Sequence, residues 1–224
     1  MRTVIQLGLH TSAFWTYLTR ENWVDYMRNR SDNQARVLPE FFTEDPAPFQ
    51  FYGVDVDHES IAHVANSSRY KNLSNVTWVC VGISDDHYLM KPTSRYDGAA
   101  WYQFSKHNKM HVYITMKHLI DSISPETFDV LAIDIDGYEH YIFNDMEKWS
   151  ILPTYITLEY HGLGSDGENR EVVDGQDAHD NLISTIVKNG YEYLPPVFKY
   201  EAGNAVKEMQ FLKTNVKGME DERK

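Results

Sequence analysis

The chain has 224 residues, of which 42 % are hydrophobic and 13 % are aromatic. That length and composition predict one ordinary globular domain and exclude a disordered or fibrous chain. Because 33 acidic residues outnumber 21 Lys and Arg, the formal net charge is −12. The sequence therefore lacks the basic footprint that a large nucleic-acid partner requires, and its charge suits a cationic ligand.

The single cysteine, the short apolar runs and the first residues of the chain predict a cytoplasmic protein. Cys80 is the single cysteine, which excludes an internal disulfide and a zinc–thiolate cluster. The apolar runs are strand-sized, well short of the ~20 residues that a membrane helix needs, so no membrane partner is expected. Residues 1–5 enter a strand-like run without the regions of a signal peptide.

In the first half of the chain, strand-like segments alternate with helix-like ones. A helix is predicted over residues 13–28, a proline-containing loop over residues 30–48, and a second helix after its cap at Asp57. The apolar, β-branched runs that predict strands are residues 3–7, 49–56 and 76–83.

The second half begins with residues 84–111, which have no clear period and are predicted to form a lid or a substrate-binding loop. Ser124 is predicted to cap a helix that begins at Pro125. The remaining strands are predicted over residues 112–115, 128–135, 154–159, 191–200 and 208–213. Helices are predicted over residues 138–146 and 178–187, and Asn189 and Gly190 are expected to end the second of them. Residues 162–177 are predicted to form a loop and residues 215–224 a charged tail.

This alternation predicts a parallel sheet with helices on both faces. Ligands of such sheets bind beyond the carboxyl ends of the strands. The polar side chains expected at strand ends are Asp55, Asp57, Asp134, Asp136, Glu159 and His161. Converging carboxylates repel one another, so they indicate a raised pKa, a bound cation or a positive ligand such as S-adenosylmethionine.

Four segments, in order along the chain, resemble a known family. They are Val-Ile-Gln-Leu-Gly-Leu-His-Thr-Ser-Ala-Phe at 4–14, Phe-Tyr-Gly-Val-Asp at 51–55, Gly-Ile-Ser-Asp at 82–85 and Asp-Val-Leu-Ala-Ile-Asp-Ile-Asp-Gly-Tyr-Glu at 129–139. These are similar to motifs of the FkbM-type class I methyltransferases, whose most distinctive stretch is Lys-x-Asp-x-Glu-Gly-x-Glu. The chain has Ala132 and Asp136 in place of the Lys and the first Glu, and Gln6 and Ser12 in place of an Asp and a Gly.

The resemblance implies a Rossmann-like class I methyltransferase fold in one domain over residues 1–214. That fold has a mostly parallel seven-stranded sheet with helices on both faces and a late antiparallel strand. The implied cofactor is S-adenosylmethionine, and the implied reaction is O-methylation of a small molecule or a glycan.

The same resemblance assigns roles to individual residues. Gly8, His10 and Ser12 would border the methionine part of the cofactor, Asp55 would hold its ribose, Val56 and Ile83 would flank its adenine, and Asp134 would face its ammonium group. The protein must also align the acceptor hydroxyl and remove its proton. The candidates for that base are Asp136, Glu159 and His161.

Three other readings remain open. Asp134 and Asp136 fit the Asp-x-Asp-Gly opening of a haloacid-dehalogenase-like, Mg-dependent phosphatase, although that motif belongs on the first core strand. Asp134, Asp136 and Glu159 are also possible magnesium ligands of a metal-dependent methyltransferase. The altered residues Gln6, Ser12 and Ala132 fit a catalytically degenerate binding module.

Overall fold

The structure is a computed structural model of the chain. It describes residues 2–9, 49–66, 71–72, 74–84, 88–90, 111–133, 135, 139–160, 175–194 and 207–214. The predicted helix over residues 13–28, the loop over residues 30–48 and the tail over residues 215–224 lie outside these ranges. The assignment of residues 1–214 to one domain stays a prediction.

Ten strands and four α-helices lie in the described ranges. The strands are β1 (Arg2–Leu7), β2 (Phe49–Asp55), β3 (Val76–Cys80), β4 (Gly82–Ile83), β5 (Tyr88–Met90), β6 (His111–Ile114), β7 (Val130–Ile133), β8 (Tyr155–Tyr160), β9 (Tyr191–Leu194) and β10 (Lys207–Lys213). The helices are α1 (His58–Asn66), α2 (Met116–Ile123), α3 (Glu139–Ile142) and α4 (Gly175–Lys188), with a short 3-10 helix at Met146–Lys148. No helix in this described part of the chain is both long and apolar enough to cross a membrane.

Seven of the strands form one sheet in the order β3-β2-β1-β7-β8-β10-β9. The pairs from β3 to β8 are parallel, and β10 is antiparallel to both of its neighbours. Strand order reverses between β1 and β7, and right-handed crossovers in the two directions place their helices on opposite faces. The predicted fold, including its late antiparallel strand, is confirmed.

The register of the sheet separates two faces. Ile5, Leu131 and Ile156 are aligned across β1, β7 and β8 and belong to the main hydrophobic core. Their neighbours along each strand point to the other face because side chains alternate. A row on that second face contains Gly53, Gln6, Ala132, Thr157 and Gln210. This row crosses the sheet shortly before the carboxyl ends of β1, β2, β7 and β8.

The predicted strand over residues 76–83 is two strands in two sheets. The chain leaves the large sheet after Cys80, and β4 pairs instead with β6 in a three-stranded sheet of order β4-β6-β5. A continuous apolar run does not reveal a change of pairing partner, which is why the sequence predicted one strand. The predicted lid over residues 84–111 contains β5, which is antiparallel to β6; its residues 91–110 lie outside the described ranges.

The prediction for Ser124 is wrong in direction. Ser124 ends α2 with a left-handed φ of 48°, and its N–H donates to the Ile120 carbonyl at 2.8 Å. The N-cap of this helix is Thr115, whose Oγ1 accepts the His118 N–H at 3.1 Å. Pro125 explains the end of the helix, because a proline disfavours the helical conformation of the residue before it.

The other elements are close to their predictions, with shifted ends. Asp57 caps α1 as expected, since its Oδ2 accepts the Ser60 N–H at 3.1 Å. The helix predicted over residues 138–146 is shorter, because α3 stops at Ile142 and a turn leads into the 3-10 helix. The helix α4 begins at Gly175, inside the predicted loop, and ends before Gly190 as predicted, where φ is 90°.

Candidate functional site

Gly8 follows β1 at the point where strand order reverses. Its φ is 81°, a left-handed conformation that glycine adopts without the steric cost of a Cβ. The Gly8 N–H donates to the Val54 carbonyl at 2.9 Å, which holds the turn against β2. The next N–H, that of Leu9, is therefore turned towards the end of β2.

Asp55 is the last residue of β2 and receives that N–H. Its Oδ2 accepts the Leu9 N–H at 3.0 Å, and its Oδ1 accepts the Asp57 N–H at 2.9 Å. Asp55 thus ties the end of β1 to the β2–α1 turn and is half-buried rather than enclosed.

The turn between β2 and α1 is held by side chains from elsewhere in the fold. The Val56 carbonyl lies 2.9 Å from Nδ1 of His111 and 3.7 Å from Sγ of Cys80. Val56 itself is half-buried, and Ile83, at the end of β4, is buried. The structure thus describes both predicted adenine neighbours, each at the end of a strand.

Cys80 reports the electrostatic character of this region. Partial burial raises the pKa of its thiol, and the negative charges of Asp55 and Asp57 raise it further. A negative potential disfavours a thiolate and favours a bound cation. The region around the ends of β2 and β3 therefore suits a positively charged ligand.

Gln6 lies on the second face, two residues before Gly8. Its side chain is 1 % exposed, and its Nε2 donates to the Gly8 carbonyl at 3.0 Å. Its Oε1 is buried and accepts no hydrogen bond from the described residues. A buried acceptor without a donor costs about 1–3 kcal/mol, so a ligand N–H near Gly8 would stabilise this site.

Glu159 is the second-last residue of β8, and its register partner in β10 is Glu208. Sequence reasoning missed Glu208, because the register of an antiparallel pair is not visible in either strand alone. We call the carboxyl ends of β1, β2, β7 and β8, with the residues that follow them, the carboxyl rim. Gly8, Asp55 and Glu159 lie at this rim, and β8 ends one residue before His161.

Of the predicted site residues, the structure places Gly8 directly after β1, Asp55 at the end of β2, Val56 in the turn that follows and Ile83 at the end of β4. The side chain of Glu159 is not among the described ones. His10, Ser12, Asp134, Asp136 and His161 lie outside the described ranges. Within those ranges no three His, Cys, Asp or Glu side chains form a group that could hold a metal ion. Since Asp134 and Asp136 fall outside, the magnesium reading stays a prediction.

Two buried polar side chains come from α3 and α4. Glu139, the first residue of α3, is 0 % exposed, and a carboxylate in the first turn of a helix is favoured by the helix dipole. The ring of the buried His179, from α4, lies edge-on to Tyr160 at a centroid distance of 5.4 Å. No role is predicted for Tyr160 from the sequence, although it directly follows Glu159.

Comparison with solved structures finds several similar chains. A fibrillarin pre-rRNA processing protein of Methanococcus jannaschii has a TM-score of 0.49 and 11 % identity over 94 % of this chain and 66 % of that chain. A fibrillarin of Aeropyrum pernix, with natively bound S-adenosyl-L-methionine, has a TM-score of 0.44 and 10 % identity over 93 % and 65 %. A SAM-dependent methyltransferase of Aquifex aeolicus has a TM-score of 0.40 and 10 % identity over 94 % and 81 %.

The chain thus spans about two thirds of the length of the two fibrillarins, at 66 % and 65 %. None of the curated proteins matches it at a significant level. The family model of the methyltransferase FkbM domain matches residues 22–193, well over half of the sequence. This match includes β2 to β8, α1 to α4 and most of β9, so the chain belongs to the FkbM methyltransferase family.

Proposed function

We propose that this protein is an S-adenosylmethionine-dependent methyltransferase that methylates a hydroxyl oxygen of a small molecule or a glycan. The observation that carries the proposal is the link between Gly8 and Asp55 in a chain of this family. A left-handed glycine and a carboxylate meet across the first two strands at the reversal of strand order, where α/β sheets bind their ligands.

The described residues fit this cofactor. Asp55 is a half-buried carboxylate at the end of β2, a group that suits ribose hydroxyls, and the aliphatic side chains of Val56 and Ile83 suit the faces of an adenine. The buried Oε1 of Gln6 is an acceptor near Gly8 that suits an ammonium group. The family usually has an Asp at the position of Gln6, so this chain would bind that group with a neutral acceptor.

When bound, S-adenosylmethionine supplies a methyl carbon activated by a sulfonium and leaves as a neutral thioether. The remaining work falls to the chain, which must orient an acceptor hydroxyl in line with that carbon and take up its proton. Asp136, Glu159 and His161 are the proposed bases. Glu159 is supported by its place at the carboxyl rim, and the register adds Glu208 beside it.

The topology speaks against the phosphatase reading. Asp134 and Asp136 follow β7, and β1 to β6 precede that strand along the chain. The dehalogenase-like motif belongs on the first core strand instead. The degenerate binding module shares the fold and the rim, so turnover is what distinguishes it from an enzyme.

The cofactor site is tested by comparing Asp55→Ala with Asp129→Ala. Asp129 is a buried aspartate at the opposite end of the sheet, where its Oδ2 accepts the Thr3 N–H at 2.9 Å. We expect Asp55→Ala to weaken S-adenosylhomocysteine binding by about 1–3 kcal/mol, or roughly 5- to 150-fold, because polar partners lose their acceptor. Asp129→Ala should keep the wild-type affinity in the same calorimetric titration, run below both melting temperatures. Equal affinity of Asp55→Ala and wild type would contradict the proposed ribose contact.

The acceptor is tested with methyl-labelled S-adenosylmethionine and matched panels of hydroxylated and amine-bearing sugars and small molecules. We expect label only on oxygen, and we expect Glu159→Gln to lower turnover while S-adenosylhomocysteine still binds as in wild type. A chain that binds S-adenosylhomocysteine but labels no acceptor would favour the binding module. The cytoplasmic location and the absence of a nucleic-acid or membrane partner stay predictions from composition.

A further inference from the structure

His111 connects the small sheet to the β2–α1 turn. It is the first residue of β6, where it pairs with Met90 of β5. Its Nδ1 nevertheless lies 2.9 Å from the carbonyl oxygen of Val56, a residue 55 positions earlier in the chain. A carbonyl oxygen only accepts, so Nδ1 is the donor in this hydrogen bond.

The bond acts on the peptide group between two functional positions. Val56 separates Asp55 from Asp57, and Asp55 already accepts the Asp57 N–H at 2.9 Å. Asp57 in turn accepts the N–H and the Oγ–H of Ser60, both at 3.1 Å. These bonds close the turn on itself, whereas His111 and the thiol of Cys80 hold the Val56 carbonyl from outside the turn. The direction of the Val56 carbonyl sets the rotation of the turn, and therefore the direction of the residues on either side of it.

We propose that His111 is a positioning residue for the adenosine end of the cofactor site. Its Nδ1–H holds the Val56 peptide group, so that Asp55 faces the ribose and the Val56 side chain faces the adenine. This inference rests on the proposed function. The sequence motifs assign no role to His111.

Two near-isosteric variants separate the hydrogen bond from the packing. Asn places an amide N–H where histidine has Nδ1, whereas Leu has the same branched shape and no donor. We expect His111→Leu to bind S-adenosylhomocysteine roughly three- to tenfold more weakly, the range for one lost hydrogen bond. His111→Asn should recover most of that affinity. The control is His63→Ala, because His63 is an exposed histidine on α1, and this variant should bind as wild type does.

A second ligand locates the effect within the site. 5′-Methylthioadenosine shares the adenosine part with S-adenosylhomocysteine but lacks the amino-acid part. Because His111 acts on the adenosine end, His111→Leu should lose affinity for both ligands by the same factor. If the substitutions only loosened the whole fold, His111→Leu and His111→Asn would lose affinity alike, in step with their melting temperatures.

The inference is overturned if His111→Leu binds both ligands as wild type does, or if Asn and Leu lose affinity equally. It is also overturned if His111→Leu loses affinity only for S-adenosylhomocysteine. Should His111→Leu fail to fold, the wild-type protein decides: saturation with either ligand must shift the ¹⁵N resonance of His111 Nδ1, and an unchanged resonance overturns the role. A wild-type chain that binds neither ligand would instead overturn the proposed function itself.

Discussion

The large sheet has an aspartate at each of its two ends, and the two are bonded differently. Asp55 lies at the carboxyl rim, where its two oxygens accept the backbone N–H groups of Leu9 and Asp57. We call the opposite end, with Asp129, Gly190 and the first residues of β1, β7, β8 and β9, the amino rim. There Oδ2 of Asp129 accepts the Thr3 N–H at 2.9 Å and the Thr127 hydroxyl at 2.6 Å.

The two aspartates also differ in their surroundings. Asp129 is 8 % exposed, and its backbone also bonds to Thr3 and Tyr155, so it joins the starts of three strands. Asp55 is more exposed and holds a turn that ends beside solvent. The same side chain thus closes the fold at one rim and lies at the proposed cofactor site at the other. The difference follows from strand direction, because ligands of α/β sheets bind at the carboxyl ends.

The largest expected effect on stability concerns the amino rim. Asp129→Ala removes the acceptor of two donors in a buried place, and we expect it to lower the free energy of unfolding by about 3 kcal/mol. For a chain of this size that corresponds to a fall in melting temperature of about 6–12 °C. Asp55→Ala should lower the free energy of unfolding by less, because water can replace its bonds. Urea denaturation of both variants checks this order, and a larger loss for Asp55→Ala would contradict the comparison.

Much of the fold could be predicted from the sequence, because buried strands have a recognisable local pattern. The apolar, β-branched run at β1 and the capping Asp57 were both recognisable without any partner, and both agree with the structure. The resemblance of the ordered motifs supplied what local patterns lack, namely the late antiparallel strand. At the site, the resemblance identified Gly8 and Asp55, which the structure joins through Leu9.

The sequence could not reveal which distant segments of the chain pair with one another. The change of sheet after Cys80 depends on β6, which is 30 residues further along the chain. The pairing of Glu159 with Glu208 depends on a register, and the bond from His111 to Val56 crosses between two sheets. Ser124 was misread for a local reason, because a serine followed by proline fits both the start and the end of a helix.

Two glycines, one at each rim, test the comparison of the rims with a smaller expected loss of stability. Gly8 at the carboxyl rim and Gly190 at the amino rim both have left-handed backbones, with φ of 81° and 90°. Alanine at either position should cost about 1–2 kcal/mol of stability from the backbone alone. For Gly190 that cost stands by itself, since a Cβ there would have nothing within 4 Å.

The affinity for S-adenosylhomocysteine should distinguish these two variants. Gly8→Ala should weaken S-adenosylhomocysteine binding in addition to its loss of stability, because the turn presents Leu9 N–H to Asp55. Gly190→Ala should bind as wild type does. Calorimetric titration of both variants is the measurement, and equal affinities would remove Gly8 from the site.

A smaller effect is expected at Tyr191, the first residue of β9 at the amino rim. Its hydroxyl donates to the buried Pro153 carbonyl, and burial raises the pKa of the phenol well above its usual value. A proton held more tightly in the folded state gives stability that is present below the unfolded pKa of about 10 and is lost at higher pH. We expect the free energy of unfolding to fall above pH 10 by up to about 1.4 kcal/mol per pH unit for this group.

The matched variant is Tyr191→Phe. It should be about 1 kcal/mol less stable than wild type at pH 8, from the lost hydrogen bond. Its stability should then decline less steeply between pH 10 and 11, because the buried phenol no longer titrates. Urea denaturation at a series of pH values measures both terms, and parallel curves for the two proteins would show that Tyr191 ionises alike in the folded and unfolded states.

The smallest effect is a change in the rate of thiol labelling at the carboxyl rim. Burial and the charges of Asp55 and Asp57 raise the pKa of Cys80, so its thiolate fraction at pH 8 should be lower than that of a free thiol. Asp57→Asn removes one of these charges, and Asn is also a good N-cap, so α1 keeps its first hydrogen bond. We expect this variant to react several-fold faster with iodoacetamide at pH 8, while Asp129→Asn at the amino rim reacts at the wild-type rate. Because only the charge near Cys80 differs, an unchanged rate for Asp57→Asn would mean that the charge of Asp57 does not act on the Cys80 thiol.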